Sequence, residues 1–185
     1  MSVRITGGRL GGRTVSVPDL PGLRPTSARI REALFSMLGQ DLSGRSALDA
    51  FGGSGVLAFE ALSRGAGPVE VVERSRRAAR ALEKEASRLG ADIALHVGDA
   101  RRVLGSGTWD LVLMDPPYAD DPVEWLQVAA PRVRWRLCLE FRAGASLPRE
   151  VAGLEQIRLR RYGDSALAVY GARTASSIPE DEVVP

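Results

Sequence analysis

The chain has 185 residues, 44% of them hydrophobic, with a net charge of +2 and a sequence pI of about 9.1. That suits one globular domain with a real core, with or without a small extension. No run approaches a membrane-spanning length, Met1-Ser2-Val3-Arg4 lacks an apolar signal core, and the lone Cys138 rules out an intrachain disulfide framework.

A cytoplasmic protein is the expectation. The charge is unevenly spread: residues 1–45 carry Arg4, Arg9, Arg13, Arg24, Arg29, Arg31 and Arg45 against Asp19, Glu32 and Asp41. An N-terminal positive field of this kind can collect a polyanion. Arginine-rich usage is the competing reading, since Lys84 is the only lysine.

In chain order, Arg4-Ile5-Thr6 and Arg13–Val17 flank Gly7, Gly8, Gly11 and Gly12, which predicts a small β-hairpin. Leu20–Pro25 reads as a linker. A helix follows from Ser27 to Leu38, with Ile30, Ala33, Leu34, Met37 and Leu38 on its apolar face. Strands and helices then alternate: strand Ala47–Phe51, helix Val56–Arg64, strand Val69–Glu73, helix Arg76–Leu89, strand Ile93–Val97 and a helical turn at Arg101–Leu104. Strand Leu111–Met114 comes next, then helix Val123–Ala130 and strand Leu137–Phe141. Strands Gln156–Tyr162 and Ala166–Tyr170 are joined by Gly163-Asp164-Ser165.

The pattern predicts a doubly wound, mostly parallel α/β sheet with ligands at the carboxyl ends of its strands. Three divisions are expected: an extension and linker over 1–25, the main domain over 26–173, and a disordered acidic tail over 174–185.

Two motifs carry chemistry. Asp49-Ala50-Phe51-Gly52-Gly53-Ser54-Gly55 sits where a strand turns into a helix, and Glu73 ends the next strand, where it can accept hydrogen bonds from both hydroxyls of a ribose. Gly53-x-Gly55-x-x-Ala58 followed by Glu73 also satisfies a dinucleotide fingerprint, so an NAD-binding domain is a competitor. Asp49 argues against it, because a carboxylate before the glycines would repel a pyrophosphate yet suits the amino and sulfonium end of S-adenosylmethionine. Asp99, in Gly98-Asp99-Ala100, can accept from an adenine amine, or cap the turn that follows, or both.

The second motif is Asp115-Pro116-Pro117-Tyr118. Two prolines make a stiff, donor-free backbone. The Asp115 carboxylate and Pro116 carbonyl can grip the N–H groups of an exocyclic base amine, aiming its lone pair outward for methyl transfer by positioning and electrostatics. Tyr118 would stack on a base taken out of its helix. Guanine N2, adenine N6 and a glutamine amide all meet this description. No metal cluster is expected around His96, Cys138 reads as core, and Arg74, Arg76, Arg77 and Arg80 read as a solvated face within reach of phosphate.

On these motifs the chain resembles the class I S-adenosylmethionine-dependent methyltransferases with a [Asp/Asn]-Pro-Pro-[Tyr/Phe] tetrad. It is most similar to the bacterial family that methylates guanine N2 in 16S ribosomal RNA. The likeness runs over residues 3–171 and includes Gly22-Leu23-Arg24-Pro25-Thr26, Glu60-Ala61-Leu62-Ser63-Arg64-Gly65-Ala66 and Tyr162-Gly163-Asp164-Ser165. It implies a Rossmann-like seven-stranded sheet with a C-terminal antiparallel hairpin and an N-terminal hairpin as an RNA-contacting extension, with RNA contacts from Arg4, Arg9, Arg13, Arg24 and Arg29.

It also implies cofactor contacts from Thr26, Asp49, Phe51, Gly52, Gly53, Ser54, Gly55, Glu73, Arg74, Asp99, Ala100 and Asp115, with the tetrad catalytic. The implied partner is 16S rRNA within a small ribosomal subunit or an assembly intermediate. Gly53 stands where the family usually has Ala, and Glu85 where Asn is expected.

Overall fold

The structure is a computed structural model that describes residues 1–21, 23 and 25–172. The position of Arg24 and the tail over 174–185, both named above, lie outside the described residues. β1 (Ser2–Arg4) and β2 (Thr14–Ser16) form a separate antiparallel hairpin. α1 (Ala28–Leu38) starts where the Ser27 hydroxyl accepts from the Ile30 amide at 3.3 Å, and ends at Gly39. β3 (Ala47–Asp49), α2 (Val56–Ser63), β4 (Val69–Glu73), α3 (Arg76–Leu89) and β5 (Ala94–Val97) follow.

The second half holds α4 (Ala100–Ser106), β6 (Trp109–Met114), α5 (Pro122–Ala129), β7 (Val133–Arg142), β8 (Glu150–Val151), β9 (Leu154–Tyr162) and β10 (Ser165–Ala172). α3, α4 and α5 are each capped by a side chain, from Ser75, Asp99 and Asp121, which satisfies an amide that the helix leaves unpaired. Among the described residues, no helix is long and apolar enough to cross a membrane.

The main sheet has the order β5-β4-β3-β6-β7-β10-β9-β8. The strands from β5 to β7 are parallel, and β10, β9 and β8 are added antiparallel. This is the expected doubly wound α/β sheet with one correction: it has eight strands, not seven. The extra one is the two-residue edge β8, too short to show an alternating pattern in sequence. The chain leaves β3 to one side for β4 and returns on the other for β6, so the topological switch lies between β3 and β6, where open α/β sheets bind ligands.

Each face of the sheet buries its own core. One includes Leu34 and Phe35 of α1, Phe59 of α2, Leu82 of α3, and Leu113 and Cys138 of the sheet. The other joins Leu104 of α4 and Trp125 of α5 to Val112, Met114 and Leu139.

The hairpin is docked into the first core through Ile5, Leu10 and Val15. Its turn lies flat on the end of α2: the Arg9 amide donates to the Ser63 carbonyl at 2.7 Å, and a Cβ on Gly8 would sit 1.9 Å from that oxygen. Glu85 answers the question raised by the missing Asn. It accepts from the Ser16 amide at 2.9 Å and pairs with Arg88, so it ties β2 to α3.

Beneath the hairpin lies a fully buried charge. Glu60 of α2 accepts from the Thr6 amide and hydroxyl at 2.9 Å each, from Arg31 Nε at 3.1 Å and from Arg64 Nη1 at 2.5 Å. Arg31 also donates to the carbonyls of Thr26 at 2.5 Å and Arg4 at 2.8 Å. Removing one partner strands the others without water. Glu60→Ala is expected to lower unfolding stability by about 3–5 kcal/mol, read from urea denaturation of the two proteins.

Candidate active site

Register places the acids. Asp49 pairs with Leu113 across β3 and β6, and Met114 pairs with Leu139 across β6 and β7. Asp115 and Glu140 therefore follow side by side on neighbouring strands. Alternation puts Asp49, Asp115 and Glu140 on the same face, the one that α1 covers. The Thr26 hydroxyl, just ahead of α1, donates to Asp115 Oδ2 at 3.1 Å.

Asp49 is 1% exposed; its Oδ1 accepts from the Phe51 amide at 3.2 Å, while Oδ2 is buried without a partner. Burial pushes its pKa up to about 7, the Phe51 amide opposes this, and Asp115 adds to it. Burial likewise lifts Asp115 to about 6 against the Thr26 hydroxyl.

The glycine loop is shaped as much by the protein as by any ligand. A Cβ on Gly52 would stand 2.5 Å from the Val71 side chain, and Gly55 enters α2 at φ 75, in the left-handed region. Glu73 holds this loop: its Oε2 accepts from the Gly53 amide at 2.7 Å and its Oε1 from the Ser75 amide at 2.6 Å. Each oxygen keeps a further lone pair for a ligand. Gly53 is partly buried and Ser54 buried, its hydroxyl accepting from the Val56 amide at 3.4 Å. Phe51 lies half-buried, edge-on to Trp125 at 4.7 Å.

Asp99 caps α4, accepting from the Arg101 amide at 2.8 Å, and Ala100 is buried in the helix's first turn. Arg74 is exposed next to Glu73.

In the tetrad, Pro116 is buried and Pro117 exposed. Tyr118 is 47% exposed, with its hydroxyl hydrogen-bonded to Ser165 Oγ on β10. A cleft of about 400 Å³ opens beside it, lined by Pro116, Pro117, Tyr118, Phe141 and Arg142 among others.

The sequence reading missed Glu140. It is 7% exposed and its Oε2 is buried without a partner. Burial pushes its pKa up to about 7, Asp115 adds to that, and Ser165 opposes it. The available signal was a single acid in the apolar run Leu137-Cys138-Leu139-Glu140-Phe141, at the carboxyl end of a sheet strand.

Of the arginines singled out, Arg4, Arg9 and Arg29 are exposed, with Arg29 5.5 Å over the Tyr162 ring. Arg13 instead donates to the Leu89 and Arg88 carbonyls, fastening the hairpin to the end of α3. His96 pairs with Glu70 at 2.6 Å, and Cys138 is buried with its thiol pKa pushed up by desolvation.

A parallel sheet reversing between β3 and β6, with acids at the ends of both strands and an antiparallel hairpin at its far side, is the Rossmann-like fold of the class I methyltransferases. The chain belongs to the family described as Conserved hypothetical protein 95, which matches residues 3–171.

The protein named Ribosomal RNA small subunit methyltransferase D of Escherichia coli (strain K12) is 42% identical over 119 residues, which are 63% of this chain and 60% of that protein. The chain therefore matches less than two thirds of that relative's length. The protein of the same name from Haemophilus influenzae is 35% identical over 123 residues, covering 63% of this chain and 64% of its own. The solved structure of the Escherichia coli protein yhhF superposes with a TM-score of 0.82 at 30% identity, over 93% of this chain and 98% of its own.

The residues present fit S-adenosylmethionine better than a dinucleotide. A desolvated carboxylate with an unanswered oxygen, Asp49, calls for a cationic or donor group. The pyrophosphate of NAD would bring it more negative charge.

Asp49 costs the empty fold stability, with a sign that can be worked out. Its folded pKa of about 7 lies above the unfolded value, so the folded chain holds the proton more tightly. Stability on this account falls as pH rises from about 4 to 7. Asp49→Asn is expected to stabilise the protein by about 2–4 kcal/mol at pH 8 and by little near pH 4, as urea unfolding at the two pH values would show, while weakening S-adenosylmethionine binding.

Proposed function

We propose that this protein transfers the methyl group of S-adenosylmethionine to the exocyclic N2 amine of a guanine in 16S ribosomal RNA, and that it acts in the cytoplasm on a small ribosomal subunit or an assembly intermediate. The carrying observation is that Asp115 and the buried, unanswered Asp49 stand at the ends of adjacent strands on one face of the sheet, with Thr26 on Asp115. The relatives' names supply the RNA class.

When bound, S-adenosylmethionine supplies an electrophilic methyl carbon on a cationic sulfur. Thr26, Asp49, the Phe51–Gly55 loop, Glu73, Arg74, Asp99, Ala100 and Asp115 are the residues that would hold it. Asp49 offsets its positive end, Glu73 accepts from ribose hydroxyls and Asp99 from an adenine amine. Asp115 and the Pro116 carbonyl accept the two N–H groups of the target amine, turning its lone pair outward. As the N–C bond formed, the methyl–sulfur bond would break with its electron pair staying on sulfur, and the amine would lose one proton. A carboxylate whose pKa is raised to about 6 is a better base for that proton than an ordinary one. Tyr118, half exposed with its hydroxyl anchored, presents its ring to the base.

Residues 1–25 serve as the RNA-contacting extension and 26–173 as the transferase. Exposed Arg4, Arg9 and Arg29 support this reading. Arg9→Ala and Arg29→Ala should each reduce the salt-dependence slope of RNA binding by about 1, as filter binding over a salt series would show.

The direct test incubates the protein with labelled S-adenosylmethionine and small subunits lacking the modification, followed by digestion to nucleosides. Label is expected in N2-methylguanosine. Asp115→Ala should cut transfer by about 100–1,000-fold, far more than it weakens cofactor affinity. Retained turnover in that variant overturns the role of Asp115.

A further inference from the structure

Glu140 has no part in the assignment above, yet its position is unusual. It follows Leu139, the register partner of Met114, so it stands beside Asp115 on the same face of the sheet. It is 7% exposed, and its Oε2 is buried without a hydrogen-bond partner. Its other neighbours also belong to the tetrad's surroundings: Ser165 stands next to it and holds the Tyr118 hydroxyl, and the Tyr118 phenol senses its charge. No ion pair to Glu140 occurs among the described residues.

A buried carboxylate oxygen left unanswered is destabilising and persists where a ligand brings a donor to it. The cofactor's cationic end has Asp49 to meet it. Glu140 lies on the other side of Asp115, two strands from Asp49, in line with Tyr118 and Ser165. It thus lies on the side where the target base is received.

Which base edge places a donor there can be read from the bases. Guanine carries a ring N1–H directly beside its N2 amine, so the edge that offers the amine to Asp115 offers a second donor alongside. Adenine and 2-aminopurine present an unprotonated ring nitrogen next to the amine, whose lone pair a carboxylate repels.

We infer that Glu140 is the base-selecting residue of this site: its carboxylate accepts the N1–H of guanine while Asp115 and the Pro116 carbonyl hold the neighbouring amine. This rests on the methyl-transfer reading and deepens it, because the tetrad by itself accepts any exocyclic amine. Burial makes the selection strong, since a site built around a hydrogen bond rejects a substrate that leaves its polar group unpaired.

The test compares the wild-type chain with Glu140→Gln and Glu140→Ala on two substrates. One is the unmodified small subunit. The other is a subunit reconstituted with 2-aminopurine at the guanine that the wild type labels, which keeps the N2 amine and removes the N1–H. S-adenosylmethionine affinity is measured for all three proteins by calorimetry. The wild type should prefer guanine by at least about 100-fold. In Glu140→Ala the guanine rate should fall toward the 2-aminopurine rate, shrinking the preference to about tenfold or less, while Glu140→Gln, which keeps an acceptor oxygen, should lie between it and the wild type, with cofactor affinity within a few-fold in both.

2-Aminopurine also lacks the O6 oxygen of guanine; any loss on that account is common to all three proteins and cancels in the ratio of ratios. In Glu140→Ala, equal losses on both substrates, or an unchanged preference, overturn the selecting role. So does a large loss of cofactor affinity with the preference intact, which would place Glu140 against the cofactor. A wild type that forms no N2-methylguanosine overturns the methyl-transfer reading itself and this inference with it, which separates that failure from failure of Glu140 alone.

Discussion

The structure turns on one buried carboxylate, Glu60. Set between Arg31 and Arg64 with water excluded, its oxygens are satisfied only while both arginines and Thr6 remain in place. Thr6 follows β1, Arg31 lies on α1, and Glu60 and Arg64 lie on and just after α2. One charge thus joins three elements that share no backbone ladder. Through its contact with the Thr26 carbonyl, Arg31 also fixes the residue whose hydroxyl reaches Asp115. The hairpin proposed to meet RNA and Thr26, proposed to hold the cofactor, are therefore tied to the same guanidinium.

A second constraint runs the opposite way. Asp49 and Glu140 each keep a buried oxygen without a partner among the described residues, and Asp115 stands between them. Packing alone would have placed apolar residues there. Such groups weaken the empty fold and strengthen what it can hold, which is the usual relation between stability and function at a site. The raised pKa values of Asp49 and Glu140 follow mainly from burial, with repulsion from Asp115 adding to each.

The antiparallel half of the sheet completes this site. β10 carries Ser165, which meets both Tyr118 and Glu140, so the last hairpin of the chain reaches back to the tetrad after β6. The opposite face of the sheet supports the site from below: Phe51 of the glycine loop rests edge-on against Trp125 of α5, and Arg101 of α4 stacks on the same ring.

The sequence by itself determined the alternation of strands and helices, the glycine turn, the tetrad and the acids at strand ends, because these depend on local periodicity and on residues with narrow backbone preferences. Ser27, Ser75 and Asp99 at helix starts, and Gly39 and Gly90 just past helix ends, could be read for the same reason. What only the tertiary structure decided was which side chains meet. The two-residue β8 has no period to detect. That Arg13, expected at the RNA surface, fastens the hairpin to the end of α3 could not be read from its neighbours in sequence. Glu140 could not be placed beside Asp115 from sequence, because that pairing depends on the register between β6 and β7, across a separation of 25 residues. Register is set by the packing of both faces at once, and no local pattern encodes it.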